Sequence, residues 1–218
     1  MIEESPILIT GIPRSGSTMI AATINLCGAF GGHMSKRGMY SNDRIREEIV
    51  KPYLIENGIN KNGLHPTSSH LSSIEIRNWV ETIMKDEGYQ KGNWMYKDSR
   101  LSLIWPIWNH QYPNAKWIIV RRRTGDIIQS CMKTKYLTAY DKEEGWLNMI
   151  HEYEIRLAAL IETCPNNMII WPERMLHKNY QQIYDMCDWL GLTWNSDALR
   201  FIDSLLWGNK QRKEKYNG

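Results

Sequence analysis

The pattern of hydrophobic and polar positions divides the chain into short apolar runs and longer amphipathic segments. The apolar runs are bounded by turn residues and predict strands at Ile7–Thr10, Trp94–Lys97, Lys116–Arg121 and Met168–Trp171, with a further short strand near 29–31. The longer segments have apolar residues three and four positions apart and predict helices at Ser17–Cys27, Asp43–Glu56, Ile74–Glu87, Leu101–Gln111, Gly125–Tyr136, Glu143–Thr163, Asn179–Leu190 and Ser196–Leu206. Short apolar strands that alternate with helices are typical of a parallel sheet covered on both faces. We therefore predict an α/β fold in three layers, with a central parallel sheet flanked by helices.

Two of the predicted helices contain local signals. Pro52 lies inside Asp43–Glu56 and predicts a kink, because proline lacks an N–H and its ring clashes with the preceding turn. The run Ser72-Ser-Ile-Glu75 has the Ser and Glu spacing of a capping box, which predicts that the third helix begins there.

Length and composition limit the class of protein. At 218 residues the chain is long enough for one α/β domain and marginal for two, so we expect a single domain over 1–218. A net charge of +3, with basic and acidic residues interleaved, does not predict nucleic-acid binding. No apolar run approaches the ~18 residues that cross a bilayer, and the acidic segment before the first strand leads us to expect no signal peptide. We therefore expect no membrane contact and a cytoplasmic location. The four scattered cysteines lack C-x-x-C spacing and are expected to be buried reduced thiols.

The first predicted strand leads through a turn rich in Gly, Ser and Thr directly into a helix. Successive backbone N–H groups of such a turn converge on one point, where the helix dipole also favours an anion, so no metal is needed. Gly11 and Gly16 have the spacing of a P-loop, but Ser17 stands where a nucleotide triphosphatase has lysine, and the cation of the loop is Arg14.

A second anion site is predicted after the strand that begins at Lys116. Arg122 follows that strand and Ser130 lies in the next predicted helix. Parallel sheets present ligand sites at the carboxyl ends of their strands, and the planar fork of arginine holds two phosphate oxygens at once. Two anion sites on one rigid scaffold suit a ligand that is negatively charged at both ends.

The loop sequence Pro13-Arg14-Ser15-Gly16-Ser17-Thr18 resembles that of the P-loop sulfotransferases that use 3′-phosphoadenosine 5′-phosphosulfate, of the soluble bacterial type. The segment 116–130 is similar to the family's strand that ends in Arg and is followed by Ser. Lys97-Asp98-Ser99-Arg100 resembles the Lys-Asp-Pro-Arg segment of bacterial members. Glu173 with the later Trp189-Leu-Gly-Leu192 resembles the family's Tyr-Glu-Asp-Leu and Phe-Leu-Gly-Leu segments. The matches span residues 7 to 192.

This resemblance implies transfer of a sulfuryl group from that donor to a hydroxyl or amine of a small-molecule or carbohydrate acceptor. The product nucleotide is adenosine 3′,5′-bisphosphate, and no metal is implied. The implied donor-binding residues are Pro13, Arg14, Ser15, Gly16, Ser17 and Thr18 at the phosphosulfate, and Arg122 and Ser130 at the 3′-phosphate. The chain departs from the family at Pro172, where family members have a Tyr near the adenine, and Trp171 is the alternative stacking face.

The leaving side of the reaction needs positive charge, because charge grows on the oxygen between sulfur and the departing phosphate. We expect Arg14 and the loop backbone to neutralise that charge. Lys97 lies at the end of its predicted strand, where it would reach the same group. The alternative for Lys97 is a solvated lysine or a partner of Asp98.

An alcohol acceptor also needs a general base. His33 follows Gly31-Gly32 and is our candidate, since imidazole accepts a proton near neutral pH. Asp43, Glu47 and Glu48 compete for this role, because related enzymes often use a carboxylate from this region. Ser41 stands where the family usually carries Glu.

The segment 31–73 is an insertion after the first strand–helix unit and is expected to be an acceptor-binding insertion or lid, or else a surface excursion without a role. It contains the mobile-looking stretch Asn57–Gly63. Tyr40, Tyr53 and Trp79 fall in this region and are candidates for a wall on which a sugar or phenol stacks, against the alternative of core packing.

The sequence also permits two other classes of function. A P-loop kinase or nucleotide triphosphatase would need a magnesium-binding acid, for which Asp98 and Glu173 are available, although three arginines after the strand 116–120 argue against it. A binding module would keep the nucleotide pocket without turnover. The basic tail Lys210–Lys215 is either a solvated end or a cover for the 3′-phosphate.

Overall fold

A parallel sheet runs through the part of the chain that this computed structural model describes, which is residues 2–33, 38–66 and 71–202. Within these residues its strands are β1 (Ile7–Gly11), β2 (Met95–Lys97), β3 (Lys116–Val120) and β4 (Asn167–Ile170). Their order is β2-β1-β3-β4, and every pair is parallel. The predicted parallel α/β sheet is therefore confirmed. The short strand expected near 29–31 is a single bridge between Phe30 and Trp94.

Helices cover both faces of this sheet. The α-helices are α1 (Ser17–Leu26), α2 (Lys51–Glu56), α3 (Arg77–Asp86), α4 (Leu101–Gln111), α5 (Thr124–Met132), α6 (Glu143–Thr163) and α7 (Gln181–Leu190). A π-helix, Ile45–Val50, precedes α2, and a 3₁₀-helix, Pro172–His177, follows β4. Residues 196–202 are helical, and the rest of that predicted helix and the basic tail lie outside the described residues.

Alternation along the strands divides the core into two layers. Leu8 of β1 and Trp117 of β3 face a cluster that also holds buried residues of α3, α4 and α6. Ile9 and Ile118, one position further along each strand, face a second cluster with residues of α1 and α7. A strand buried on both faces carries apolar residues at successive positions, which explains why its sequence is a continuous apolar run.

One local prediction differs from the structure. Residues 43–56 are helical throughout, and the helix type changes next to Pro52: the π-helix ends at Val50 and α2 begins at Lys51. A local change of helix type is one way in which a helix accommodates a residue that lacks a backbone N–H. The capping box was wrong, because α3 begins at Arg77 without a side-chain cap. Ser72 is instead bound by its backbone, which accepts from Tyr53 Oη (2.6 Å) and donates to Asn57 Oδ1 (2.6 Å).

The four cysteines are buried and free, as expected. Cys27 and Cys187 lie in the second core cluster, with their Sγ atoms 3.8 Å apart. No helix of the described residues is both long and apolar enough to cross a membrane.

Candidate active site

The loop between β1 and α1 packs tightly against the end of β3. A Cβ at Gly11 would overlap the carbonyl oxygen of Val120 and lie 2.9 Å from Ser15 Oγ, so a larger residue does not fit there. Arg14 (φ 73°) and Gly16 (φ 97°) both have left-handed backbone conformations. For Arg14 this conformation is strained, and such strain is common where a loop is shaped for binding.

The start of α1 is open to an anion. Gly16 is the N-cap residue and provides no side-chain cap for the first-turn N–H groups. Ser15 Oγ is buried and has no hydrogen-bond partner in the described part of the chain. An uncapped helix start beside a buried hydroxyl without a partner fits the predicted phosphate-binding loop.

The loop and the Arg122 unit, predicted as two separate anion sites, are in direct contact. Arg14 Nε donates to Ser130 Oγ (2.9 Å), and Arg122 Nη1 donates to the carbonyl oxygen of Arg14 (3.0 Å). Arg14 Nη1 also donates to Tyr136 Oη (3.4 Å). The Arg14 side chain therefore lies over the predicted 3′-phosphate residues. Sequence reasoning missed Tyr136 because it treated this residue only as the end of a helix, whereas α5 ends at Met132.

Lys97 ends β2 and is buried, with 6% of its surface exposed. Its Nζ donates to Thr18 Oγ1 (3.2 Å) and to the carbonyl oxygen of Met39 (3.2 Å), both neutral partners. Burial lowers the pKa of this ammonium to about 8; Asp98 opposes the shift, and the positive charges of Arg100, Arg46 and Arg14 add to it. The alternative of a solvated lysine is therefore wrong. A buried cation with neutral partners next to the loop is a candidate ligand for an anion.

The partner of Asp98 is Arg100. Asp98 Oδ1 and Oδ2 accept from Arg100 Nε (2.8 Å) and Nη2 (2.7 Å), and Tyr96 Oη donates to Oδ2 (3.1 Å). Burial opposes ionisation, but the charge and hydrogen bonds of Arg100 hold the pKa of Asp98 below its usual value. This bidentate pair fixes the chain at the end of β2, directly after Lys97.

Asp98 and Glu173, the two acids that could form a magnesium site, are each already paired with an arginine. Asp98 is held by Arg100, and Glu173 accepts from the backbone N (2.6 Å) and Nε (3.1 Å) of Arg123. Among the described residues, no group of three or more His, Cys, Asp or Glu side chains is arranged to hold a metal ion. The arrangement therefore gives no support to the kinase interpretation.

His33 is exposed to solvent, and its described contacts are with Glu87. The backbone N of His33 donates to Glu87 Oε2 (2.6 Å), and Nδ1 lies 3.9 Å from Glu87 Oε1, which has no hydrogen-bond partner among the described residues. The His33 side chain is 79% exposed, whereas that of Glu87 is 2% exposed. The pair is thus a solvent-facing imidazole backed by a buried carboxylate. Nothing in the sequence pattern singled out Glu87.

The competing carboxylates are each paired with a cation. Asp43 pairs with Arg46 (2.5 Å), Glu47 with Lys51 (2.6 Å) and Glu48 with Arg44 (3.0 Å). The hydrogen bond from Lys51 is the main reason that the pKa of Glu47 lies below its usual value. A lowered pKa makes Glu47 a weaker proton acceptor than a free carboxylate.

The proposed aromatic wall is not assembled from the expected residues. Tyr53 is buried in the core, and Tyr40 packs on Phe201 with ring centroids 5.7 Å apart. Trp79 is 58% exposed on α3.

The residues expected near the adenine follow β4. Pro172 lies against the loop, where a Cβ at Gly16 would be 3.3 Å from the Pro172 ring. The backbone of Trp171 is held by hydrogen bonds with Gln182.

No protein-family model and no curated protein matches this chain. The chain is, however, similar to several solved structures. The chain is similar to the sulfotransferase domain of the Synechococcus PCC 7002 olefin synthase, with a TM-score of 0.57 and 16% identity over 92% of this chain and 78% of that one. It is also similar to sulfotransferase STF9 from Mycobacterium avium (TM-score 0.59, 13% identity, 95% and 69% covered). A third is sulfotransferase STF1 from Mycobacterium tuberculosis H37Rv (TM-score 0.52, 14% identity, 93% and 71% covered). The chain therefore has the fold of bacterial sulfotransferases.

Proposed function

We propose that this protein transfers a sulfuryl group from 3′-phosphoadenosine 5′-phosphosulfate to a hydroxyl or amine of a small-molecule acceptor. The observation that carries the proposal is the buried ammonium of Lys97, which faces Thr18 at the start of α1 and has only neutral hydrogen-bond partners described. A buried charge without a counter-ion in contact is costly, and an anionic ligand would relieve that cost.

The residues at this edge of the sheet fit a ligand with two anionic ends. The loop backbone, the unpartnered Ser15 hydroxyl and Lys97 would hold the phosphosulfate end. Arg122 and Ser130 would hold the 3′-phosphate, and Arg14, which donates to Ser130, lies between the two groups. Arginine stays charged at every working pH, so this binding would not depend on its titration.

The chemistry of the transfer is a displacement at sulfur. A bond forms between the acceptor atom and sulfur, and the bond from sulfur to the bridging oxygen breaks, leaving its electron pair on the nucleotide phosphate. Lys97 and the loop N–H groups would stabilise that negative charge, while ordered binding by Arg14, Arg122 and Ser130 supplies positioning.

His33 is our proposed base for an alcohol acceptor. Its imidazole is exposed to solvent, and Glu87 behind it would orient the ring, as carboxylates do for catalytic histidines. Asp43, Glu47 and Glu48 are less suited because each is paired with a cation. Four buried free thiols fit a reducing compartment, and we infer a cytoplasmic location.

Ligand binding gives the first test. Adenosine 3′,5′-bisphosphate should raise the melting temperature in proportion to its affinity, and ATP with magnesium should raise it much less. A larger shift with ATP and magnesium would contradict the proposal.

Turnover gives the second test. Labelled sulfate should pass from the donor to a component of a metabolite extract, and this transfer should survive EDTA. If chelation abolishes transfer and magnesium restores it, the kinase interpretation becomes the better one. Nucleotide binding without transfer to any acceptor would identify an inactive binding module.

A further inference from the structure

A cavity of about 300 Å³ lies between the loop after α2 and the turn after α5. Asn60, Asn62, Leu64 and His65 line one side, and Tyr136 and Thr138 line the other. This volume is at the lower end of the roughly 300–1,000 Å³ that small-molecule sites occupy, so it suits one ring rather than an extended chain.

Both walls of the cavity are attached to residues of the candidate active site. Tyr136 Oη accepts from Arg14 Nη1 (3.4 Å) on one side. On the other, the carbonyl oxygen of Lys61 accepts from Arg100 Nη1 (3.1 Å), and Arg100 is the partner of Asp98 next to Lys97. The cavity therefore borders the proposed donor site, with one wall joined to Arg14 and the other to the segment that follows Lys97.

The loop that forms one wall is held in place by the core. The carbonyl oxygen of Gly63 accepts from the buried Tyr153 Oη (3.0 Å), and that of Leu64 accepts from Tyr140 Oη (2.6 Å). Gly63 has a left-handed φ of 68°, and a Cβ there would lie 3.0 Å from the Arg100 side chain. The hydrogen bonds at Gly63 and Leu64 therefore give the cavity a wall that is in place without a ligand. A preformed wall lowers the entropy cost of binding.

The chemistry of the lining favours a neutral ligand. Amide, hydroxyl, phenol and imidazole groups line the cavity beside the apolar Leu64 and Ala139, and none of the described lining residues is a carboxylate, lysine or arginine. Asn60 Oδ1 accepts from the backbone N of Asn62 (2.9 Å), and among the described residues no acceptor is assigned to the amide NH₂ of Asn60. Tyr136 is 71% exposed, so part of its ring is accessible to a ligand. Hydrogen-bonding groups around one aromatic face are the features that a ring bearing several hydroxyls can use.

We propose that this cavity is the acceptor subsite and that its ligand is a neutral polyhydroxylated ring, such as a sugar unit, packed on Tyr136. This inference rests on the proposed function. The aromatic wall that sequence analysis sought at Tyr40, Tyr53 and Trp79 is thereby assigned to the turn after α5.

Binding of defined probes tests the assignment. Protein saturated with adenosine 3′,5′-bisphosphate is titrated with a neutral methyl glycoside, its uronic acid analogue and its amino-sugar analogue, and saturation-transfer NMR follows the sugar protons. The neutral glycoside should bind most tightly. Tyr136→Ala should weaken it by roughly tenfold, and Tyr136→Phe, which keeps the ring, should bind nearly as well as the natural protein. Trp79→Ala removes another exposed aromatic side chain, which does not line the cavity, and should leave glycoside binding unchanged.

The outcomes separate this inference from the proposed function. If the nucleotide binds but no glycoside does, or if the charged analogues bind more tightly, only the acceptor assignment is overturned. Equal loss in Trp79→Ala and Tyr136→Ala would also overturn it. If the nucleotide itself does not bind the natural protein, the proposed function fails and takes this inference with it. Asn62→Ala, which leaves every described donor-site contact in place, should weaken the glycoside without changing nucleotide affinity.

Discussion

The two sides of the candidate site use different parts of the chain. The proposed donor side comprises 11–18, Lys97, Arg122 and Ser130, and it depends on strand ends, a loop with left-handed residues and helix α5. The proposed acceptor side comprises His33, Glu87 and the cavity beside Tyr136, and it depends on side chains that project from loops and turns. Backbone geometry at a sheet edge is fixed by hydrogen bonding, whereas loop side chains can change with little effect on the fold. Changes on the proposed donor side should therefore alter nucleotide binding, whereas changes on the proposed acceptor side should alter acceptor binding or turnover and leave nucleotide binding unchanged.

The largest expected effect is on the acceptor side. His33→Ala should lower turnover by ~10²–10⁴ because the acceptor loses its base, while the affinity for adenosine 3′,5′-bisphosphate stays unchanged. Steady-state kinetics and calorimetry on the same preparation measure the two quantities. His151→Ala, an exposed histidine of α6, is the matched control. Normal turnover in the His33 variant, with a large loss in Asp43→Ala alone, would move the role to that carboxylate.

Replacing Lys97 should change both turnover and the affinity for the nucleotide. Lys97→Met keeps the apolar stem but removes the charge, and should lower turnover by ~10²–10³, as expected for loss of one group that stabilises a developing oxyanion. The lysine is charged below its pKa of about 8, so in the natural protein affinity for the nucleotide should fall as pH rises through that value. The variant should show no such fall. An identical pH profile in both proteins would exclude contact between Lys97 and the ligand.

Replacing Arg122 tests which group of the nucleotide this arginine contacts on the proposed donor side. Arg122→Ala should weaken adenosine 3′,5′-bisphosphate by about ten- to a hundred-fold, the size expected for one charge-assisted contact of about 1.5–3 kcal/mol, and adenosine 5′-phosphate far less. Arg123→Ala removes the same charge from a side chain that is 76% exposed and paired with Glu173, and serves as control. Equal losses for the two nucleotides would contradict the 3′-phosphate assignment.

Gly11 tests whether the donor side depends on close packing. Gly11→Ala places a Cβ against the Val120 carbonyl oxygen and should destabilise the protein by about 1–3 kcal/mol. Gly125→Ala, where a Cβ meets no atom within 4 Å, should not destabilise the protein and should raise its stability by up to about 1 kcal/mol, because Gly125 lies in α5. Urea denaturation of both variants measures the difference. Similar stability in the two would show that the loop moves freely away from β3.

The sequence was sufficient for the sheet and for the groups that the backbone positions. Apolar runs predicted the four strands of the described sheet to within a residue or two. For β1, β2 and β3 the reason is burial along nearly their whole length, which requires apolar residues at successive positions, whereas β4 is partly exposed. The glycine spacing of the loop indicated its turn for a similar reason, since Gly11 faces a carbonyl oxygen.

The acceptor side was harder to predict because its members meet only through tertiary contacts. Tyr136 and Glu87 are separated from Arg14 and His33 by long stretches of chain, and their types are common on helix ends. Tyr53 was misassigned to a binding wall because burial, which decides its role, is not visible in a local pattern. The direct contact between Arg14 and Ser130 was also missed, since side-chain direction depends on the left-handed backbone at Arg14.

The pairing of β1 with β3 has a consequence for which ligands fit. Gly11 is in register with Val120, so the loop and Arg122 begin from neighbouring points on the sheet. A slip of one residue in this register would move Arg122 by ~3.3 Å and turn the adjoining side chains to the other face. Under the proposed function, the hydrogen bonds between these two strands fix the distance between the two phosphate-binding sites. The distance between the charges on a nucleotide, as well as their number, would then decide whether it is accepted.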